Sequence, residues 1–451
     1  PRRARRARSR RRAPMRALRR LAGPRPAAGR GLSAAARGEA HDVVVVGGGL
    51  MGVWTAIRAA QRGASVLLVE QFRQDHSRGS SHGDGRIFRL AYAEDVYFDM
   101  MKHSLPLWRE LQASTSEPVI ATTGQVSIGP EGHSRLKALE ELYERRGVMY
   151  ERHTADSLRS RFSQYGLQEG LEAIYQPDGG VLFASSSIRA AWKLAESLGV
   201  DTITDFRAAS LEEGASSVSV VSEQGMAVRG KGVVVAPGAW LSKLARQWFD
   251  LQITTRVTAE EVCYFAPKGD CHVDHSYRSM PVFSANADNG LGSYGYYGLP
   301  MIDVQGIKVS AHYCGPVVDP DCRPASAGGP GTAASPEAEA AARERVAGVV
   351  ASSSRFVRAT FPLVEPEPFS TSSCLYTSSP DHNYVIGRVP GSQRVVLAGG
   401  GSGHAFKMGP AIGDCCAALA LGQPTPLPLG EFCVQREALR QEYREETAGR
   451  R

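Results

Sequence analysis

Hydrophobic positions along the chain fall into unbroken runs, helically spaced stripes and alternating stretches, and each predicts a different element. Val43-Val44-Val45-Val46 has no polar alternation and is wholly β-branched, which predicts a strand buried on both faces, as in a parallel sheet. Similar runs at 65–69, 232–236 and 394–398 predict further buried strands. Helical spacing predicts helices over 50–62, 185–198, 336–351 and 411–421. Two more fall at 95–111, with Met101, Leu105 and Trp108 facing a core, and at 131–146, with Leu136, Leu139 and Leu142. Alternating or aromatic stretches predict strands at 123–128, 261–265, 294–299 and 306–313, a strand-turn-strand at 173–183, and a hairpin from 218–221 to 227–229. The chain is therefore expected to be α/β with α+β elements, one sheet mostly parallel and a second mostly antiparallel.

The first crossing carries chemistry. Gly47, Gly49 and Gly52 form G-x-G-x-x-G between a strand and a helix, which suits a tight turn, close backbone approach to a pyrophosphate, and close packing of helix on strand. The helix N-terminus offers unpaired N–H groups and a dipole to the phosphate. Glu70 ends the next strand, near the offset at which an acid meets a ribose hydroxyl. The bland alternative is a glycine loop between a strand and a helix. With no second such unit in the chain, the ligand indicated is one FAD. Residues 71–89 are polar and rich in Gly, Ser and His; they read as a loop able to fold over the cofactor, bringing Ser80 and His82 to it. The crossings after Val235 and Ala398 bring Gly238 and Gly403 to the same sheet edge.

Composition changes this picture in three ways. At 451 residues the chain exceeds one core, so two domains are expected. The net charge of +7 comes from residues 1–40, which hold 14 of the 53 basic side chains and one of the 46 acids; the remainder is mildly acidic, at 39 against 45. A nucleic-acid partner loses its support on that count. From Met15 the leader is Arg-rich, acid-free and able to form an amphipathic helix, which predicts a mitochondrial presequence ahead of a disordered arm or a translated non-coding leader. Eight cysteines show no C-x-x-C pair and no zinc-like histidine spacing, so no metal site and mostly free thiols are expected. No apolar run is long enough to span a bilayer, and no integral membrane association is expected. Residues 322–335, rich in Pro, Gly, Ala and Ser, read as a flexible insertion.

Several words spread from Asp42 to Phe432 carry a resemblance. They are the glycine unit, Gly79-Ser80-Ser81-His82-Gly83-Asp84 with Arg86 and Arg89, Tyr296-Tyr297-Gly298-Leu299-Pro300, Gly306-Ile307-Lys308 with His312, Ser373-Cys374-Leu375-Tyr376-Thr377, and Gly401-Ser402-Gly403-His404-Ala405-Phe406-Lys407. In this order they resemble the sarcosine oxidase and pipecolate oxidase family, in the D-amino-acid-oxidase-like branch of FAD enzymes. The resemblance implies a Rossmann-type FAD-binding domain (41–125, 185–252 and 370–432) and a substrate-binding domain (126–184 and 253–369), with a tail at 433–451. It implies that Cys374 bonds FAD through sulfur, whereas the residues alone leave Cys374 a structural thiol like Cys263 or Cys314. It places Lys308 by flavin N5, where a cation helps oxygen react, and His312 and Tyr297 in the substrate cavity. It puts Arg86 against the flavin ring and gives the substrate carboxylate to Arg89 and Lys407, a bidentate fork with a point charge. Without it these are a strand lysine, a structural histidine, an aromatic core residue and surface arginines. Lys308 and His312 share a strand face by period two. The helix after Gly409-Pro410 adds a dipole at the flavin N1–C2=O edge.

The expected activity is oxidation of a small secondary amino acid, sarcosine or L-pipecolate, with O2 as acceptor and H2O2 as product, by a monomer. Lys308, His312 and Arg86 are the expected catalytic residues. A same-fold dehydrogenase using a carrier protein and a non-catalytic flavin scaffold remain open. The chain departs from the family at Gly85, where a polar side chain is usual, at Ala405, where glycine is, and at Gly387, often an acid. The final residues, Ala448-Gly449-Arg450-Arg451, are not an S-K-L-like signal. With the Arg-rich leader this favours mitochondria over the peroxisomes usual for animal relatives.

Overall fold

The computed structural model describes residues 40–292, 294–322 and 335–443. The basic leader, except Ala40, lies outside them, as do most of the 322–335 insertion and residues 444–451 of the tail.

The valine run forms β1 (His41–Val46), and the helical stripe after the glycine turn forms α1 (Leu50–Gln61), which leads to β2 (Val66–Val69). Both strands are almost wholly buried and pair in parallel from Val43↔Val66 to Val46↔Val69, as strands covered by helices must. The polar loop ends in an unexpected strand, β3 (Gly85–Phe88). Next come α2 (Asp95–Ala113), β4 (Ile120–Thr122), β5 (Gln125–Pro130) and α3 (Ser134–Arg146), which stops at Gly147 in the left-handed region, φ 62°. They are followed by β6 (Glu151–Thr154), α4 (Ala155–Arg161), β7 (Leu171–Gln176), β8 (Gly180–Phe183) and α5 (Ala184–Ser197). β9 (Asp201–Ile203), β10 (Ala208–Glu213), β11 (Val218–Ser222) and β12 (Ala227–Val235) return to the first sheet, and α6 (Leu241–Phe249) leaves it.

The aromatic region supplies β13 (Arg256–Phe265), β14 (Val282–Asp288), β15 (Tyr294–Leu299) and β16 (Ile307–Ala311). α7 (Pro336–Thr360) starts at Ser335, whose side chain accepts from the Ala338 N–H. It runs nine residues past the expected end at 351. The serines there have poor helix propensity but are held by tertiary bonds: Ser352 Oγ to Tyr296 OH, 2.8 Å, and Ser353 Oγ to Ala311 N, 3.2 Å. β17 (Ser370–Ser378), β18 (Val385–Arg388), β19 (Val395–Gly399) and α8 (Gly409–Ala420) complete the chain.

One eight-stranded sheet runs β10-β11-β12-β1-β2-β9, with β19 parallel to β12 and β18 antiparallel to β19. The other runs β17-β13-β16-β15-β14-β5-β7-β6, antiparallel throughout except where β14 meets β5. The α/β architecture with a second, mostly antiparallel sheet is thus present. The strand, turn and strand of 173–183 are present as β7 and β8, and the turn hands the chain from the second sheet (β7) to a small sheet of β3, β8 and β4. One expectation is corrected. Segment 370–378, assigned to the nucleotide-binding part, pairs with β13 along its whole length instead, so Cys374 belongs to the second sheet. Among the described residues no helix is long and apolar enough to cross a membrane.

Candidate active site

A cavity of about 720 Å³ lies where the carboxyl ends of β1, β2 and β12 meet the inner face of the second sheet. Its size is that of a cofactor or substrate site. At one end the glycine turn is built so that no side chain fits. Gly47 has φ +106°, and a Cβ there would sit 2.3 Å from Ala236 O; a Cβ on Gly52 would sit 1.8 Å from Gly47 O. Gly52 thus seats α1 on the turn and does not line the cavity, whereas Gly47, Gly49 and Gly238 do. Buried Glu70 ties the turn down: Gly48 N donates to its Oε2 at 2.6 Å and Phe72 N to its Oε1 at 2.9 Å. Burial pushes this carboxyl up, against the pull of those N–H groups. α1 begins at Gly49 without a side-chain cap, although Leu50 N reaches Ser81 Oγ at 3.1 Å. An uncapped helix start, a bare glycine turn and a carboxylate beside it fit a dinucleotide.

The loop 71–89 does fold over this end, placing Ser80 and His82 on the cavity wall. Arg86, on β3, donates to three carbonyls of its own loop: Gly85 O at 2.9 Å, His82 O at 2.8 Å and Ser80 O at 3.1 Å. Its side chain is thereby fixed, with the guanidinium 5.7 Å from the Phe406 ring. All eight cysteines lie among the described residues, and of these Cys374 lines the cavity. Lys308 is not an exposed strand lysine. It is 4 % exposed and its Nζ lies 2.8 Å from Asp84 Oδ1 and 3.3 Å from Gly85 O. Burial raises the Asp84 carboxyl, but the Lys308 ammonium outweighs it and holds the group below the usual carboxylate range. Gly85 is explained by its surroundings, because a Cβ would meet Ile302 Cδ1 at 2.4 Å and Leu299 Cδ2 at 2.9 Å.

At the far end stand Arg89, Lys407, His312 and Tyr297. Lys407 is buried; its Nζ donates to Tyr92 OH and to His404 O, both at 2.8 Å. Arg89 lies 5.2 Å from the Tyr92 ring, so one phenol adjoins both cations. Burial, and then the charge of Arg89, hold the Lys407 ammonium well below the ordinary lysine range. Among the described residues neither Lys407 nor Arg89 has a carboxylate partner. His312 is kept well below its usual value by burial first and by Arg89 next, so it is neutral near pH 7. Its Nδ1 is 3.3 Å from Tyr376 OH and its ring 5.2 Å from that of Tyr297. Gly403 lines the wall beside them, at φ +73°, where a Cβ would strike the Tyr376 ring at 2.3 Å. Asp84 and Tyr92 carry no sequence signal for these roles: Asp84 closes the 79–84 motif, but the lysine it holds is 224 positions away.

A model of the FAD dependent oxidoreductase family matches residues 42–419. The chain is 31 % identical to the monomeric sarcosine oxidase of Bacillus sp. (strain NS-129), covering 89 % of this chain and 98 % of that protein. It is 29 % identical to the human peroxisomal sarcosine oxidase, covering 89 % and 97 %. Among solved structures it resembles NikD, an unusual amino acid oxidase essential for nikkomycin biosynthesis, with a TM-score of 0.72 at 24 % identity over 88 % of this chain and 97 % of that one.

Proposed function

The chain belongs to the FAD dependent oxidoreductase family, as a sarcosine-oxidase-like member, and on that premise we propose that it oxidises a small secondary amino acid at a C–N bond, with O2 as acceptor. The observation that carries the reading is the pair of cations, Arg89 and Lys407, facing the cavity without a carboxylate of their own among the described residues, beside neutral His312. FAD held at the glycine turn supplies the two-electron acceptor. Arg89 and Lys407 take the substrate carboxylate and so fix which carbon faces the cofactor. His312 receives a proton from the substrate ammonium at an imidazole nitrogen, which leaves the amine neutral for oxidation. Lys308, held by Asp84, puts positive charge where dioxygen gains electrons. Substrate gives up two electrons and two protons, O2 becomes H2O2, and water hydrolyses the imine.

The test is oxygen uptake by purified holoprotein with sarcosine and with L-pipecolate. One H2O2 per substrate is the expected yield; absence of turnover together with an unchanged flavin spectrum on adding either compound overturns the reading.

Two finer proposals accompany it. Cys374 bonds FAD through sulfur, for which its place on the cavity wall is the support. Acid precipitation should leave yellow flavin in the pellet, and Cys374→Ser should release it. Residues 1–40 direct the protein to mitochondria, for which their Arg-rich, acid-poor composition is the support. A fluorescent fusion of these residues that marks peroxisomes or the cytosol instead removes that proposal.

A further inference from the structure

The wall of the cavity opposite the glycine turn is more polar than a small N-methyl amino acid needs. Ser127, Ser284, Tyr297 and Ser310 are register partners across β5, β14, β15 and β16, so their side chains share one face of the second sheet. Ser127, Ser284 and Tyr297 of this row line the cavity. Gln125 Nε2 donates to Ser127 Oγ at 3.0 Å and to Ser284 Oγ at 3.2 Å, which leaves the Ser284 hydroxyl proton for another acceptor. Two residues along β14, Asn286 also lines the cavity, and Arg135, from the first turn of α3, reaches over it with Nη1 3.4 Å from Asn286 Oδ1. Arg135 is therefore a third cation on the wall of the chamber that holds Arg89 and Lys407, approaching from a different element. Its field reaches His312, where it acts with those two and with burial against protonation.

We propose that the substrate is an N-substituted amino acid carrying a second carboxylate, held by Arg135 with Asn286 and Ser284 while Arg89 and Lys407 take the first. This rests on the amino-acid oxidase reading and narrows it to acidic substrates. Two separated cationic clamps fix both ends of a dicarboxylate, so orientation comes from charge and not from an apolar pocket. A neutral side chain offers this guanidinium no charge-assisted bond, so acidic and neutral side chains should be discriminated.

The experiment is steady-state kinetics on the holoenzyme with sarcosine, N-methyl-L-alanine, N-methyl-L-aspartate and N-methyl-L-glutamate. One of the acidic compounds should exceed N-methyl-L-alanine in kcat/KM by about tenfold or more. Arg135→Gln should collapse that ratio about tenfold, chiefly through KM, and Arg135→Lys should keep part of it. Asn286→Asp, which sets a like charge against the ligand, should collapse it independently. If the wild-type ratio is near one while sarcosine and N-methyl-L-alanine turn over, acidic specificity is wrong and the oxidase reading stands. If Arg135→Gln slows all four alike, Arg135 only draws anions to the mouth and the assignment is overturned. If none of the four is oxidised while L-pipecolate is, acidic specificity is wrong and the oxidase reading stands; if L-pipecolate is inert as well and leaves the flavin spectrum unchanged, both readings fail.

Discussion

Tyr92 shows how much of this site is set by single contacts. Its hydroxyl accepts from Lys407 Nζ at 2.8 Å, and burial pushes the phenol up to about 12, so it keeps a proton that a substrate carboxylate can accept. Tyr92→Phe should therefore raise KM for the amino acid about tenfold, the worth of one hydrogen bond to a charged group, with a smaller change in kcat. Equal losses in kcat and kcat/KM would mean that the phenol acts only after binding. Lys407 gives a sharper test through pH. Its ammonium is held well below the lysine range by burial and then by Arg89, so the free enzyme loses this charge earlier than a solvated lysine would. Losing it removes a proposed partner of the substrate carboxylate, and kcat/KM should fall as pH rises through the lowered value. Bound carboxylate favours the charged form, so the matching fall in kcat should lie at higher pH. Lys407→Met should abolish this alkaline limb and lower kcat/KM near neutrality roughly 100-fold; a limb that persists belongs to another group.

At the scale of elements, α1 and α8 are clasped by a cluster that plays no part in the cavity. Asp414 on α8 is buried and receives Arg58 Nε at 2.9 Å, Arg62 Nη2 at 2.5 Å and His103 Nε2 at 2.8 Å, joining α1, α2 and α8. Burial alone would raise this carboxyl, but the three donors outweigh it and hold it well below the usual range. A depressed carboxyl stabilises the fold above its unfolded value, about pH 4, and that stability is lost as pH falls toward the folded value. Asp414→Asn should therefore cost about 3 kcal/mol in urea unfolding at pH 7, with the gap to wild type closing in acid. A gap independent of pH would mean that the carboxyl is unperturbed. The clasp is invisible in the sequence, since its partners lie up to 356 positions from Asp414 and each is an ordinary polar residue on or at the end of a helix. What could be read were signals with a local cause: valine runs for β1 and β12, and the glycine turn for the start of α1; period two did not join Lys308 to His312, because β16 ends at Ala311 and His312 lies in the turn that follows. β3 escaped because Gly-Arg-Ile-Phe acquires strand character only by pairing with β8. The partner of β17 likewise depends on a register with β13 more than a hundred residues away. Cavity-lining residues were legible largely through family words, whereas Asp84, Tyr92 and Arg135 become informative only when packing brings them together.

The cavity is lined from both large sheets, and that couples stability to the cofactor. One sheet contributes Gly47, Glu70 and Gly238, the other contributes Tyr297, Lys308 and Cys374, so FAD spanning the space would bind the folded chain and have no site on the unfolded one. Free ligand at a hundred times its dissociation constant stabilises such a protein by about 2.7 kcal/mol, and the thermal midpoint then depends on ligand concentration. A covalently held cofactor behaves differently, because it stays with the chain on unfolding and no free ligand enters the equilibrium. If Cys374 carries FAD, the thermal midpoint of the wild-type protein should not move when FAD is added. The Cys374→Ser protein should start lower and gain stability with the logarithm of free FAD. A wild-type midpoint that climbs with added FAD would show an exchangeable cofactor and remove the thioether proposal, while leaving the proposed carboxylate clamp of Arg89 and Lys407 untouched.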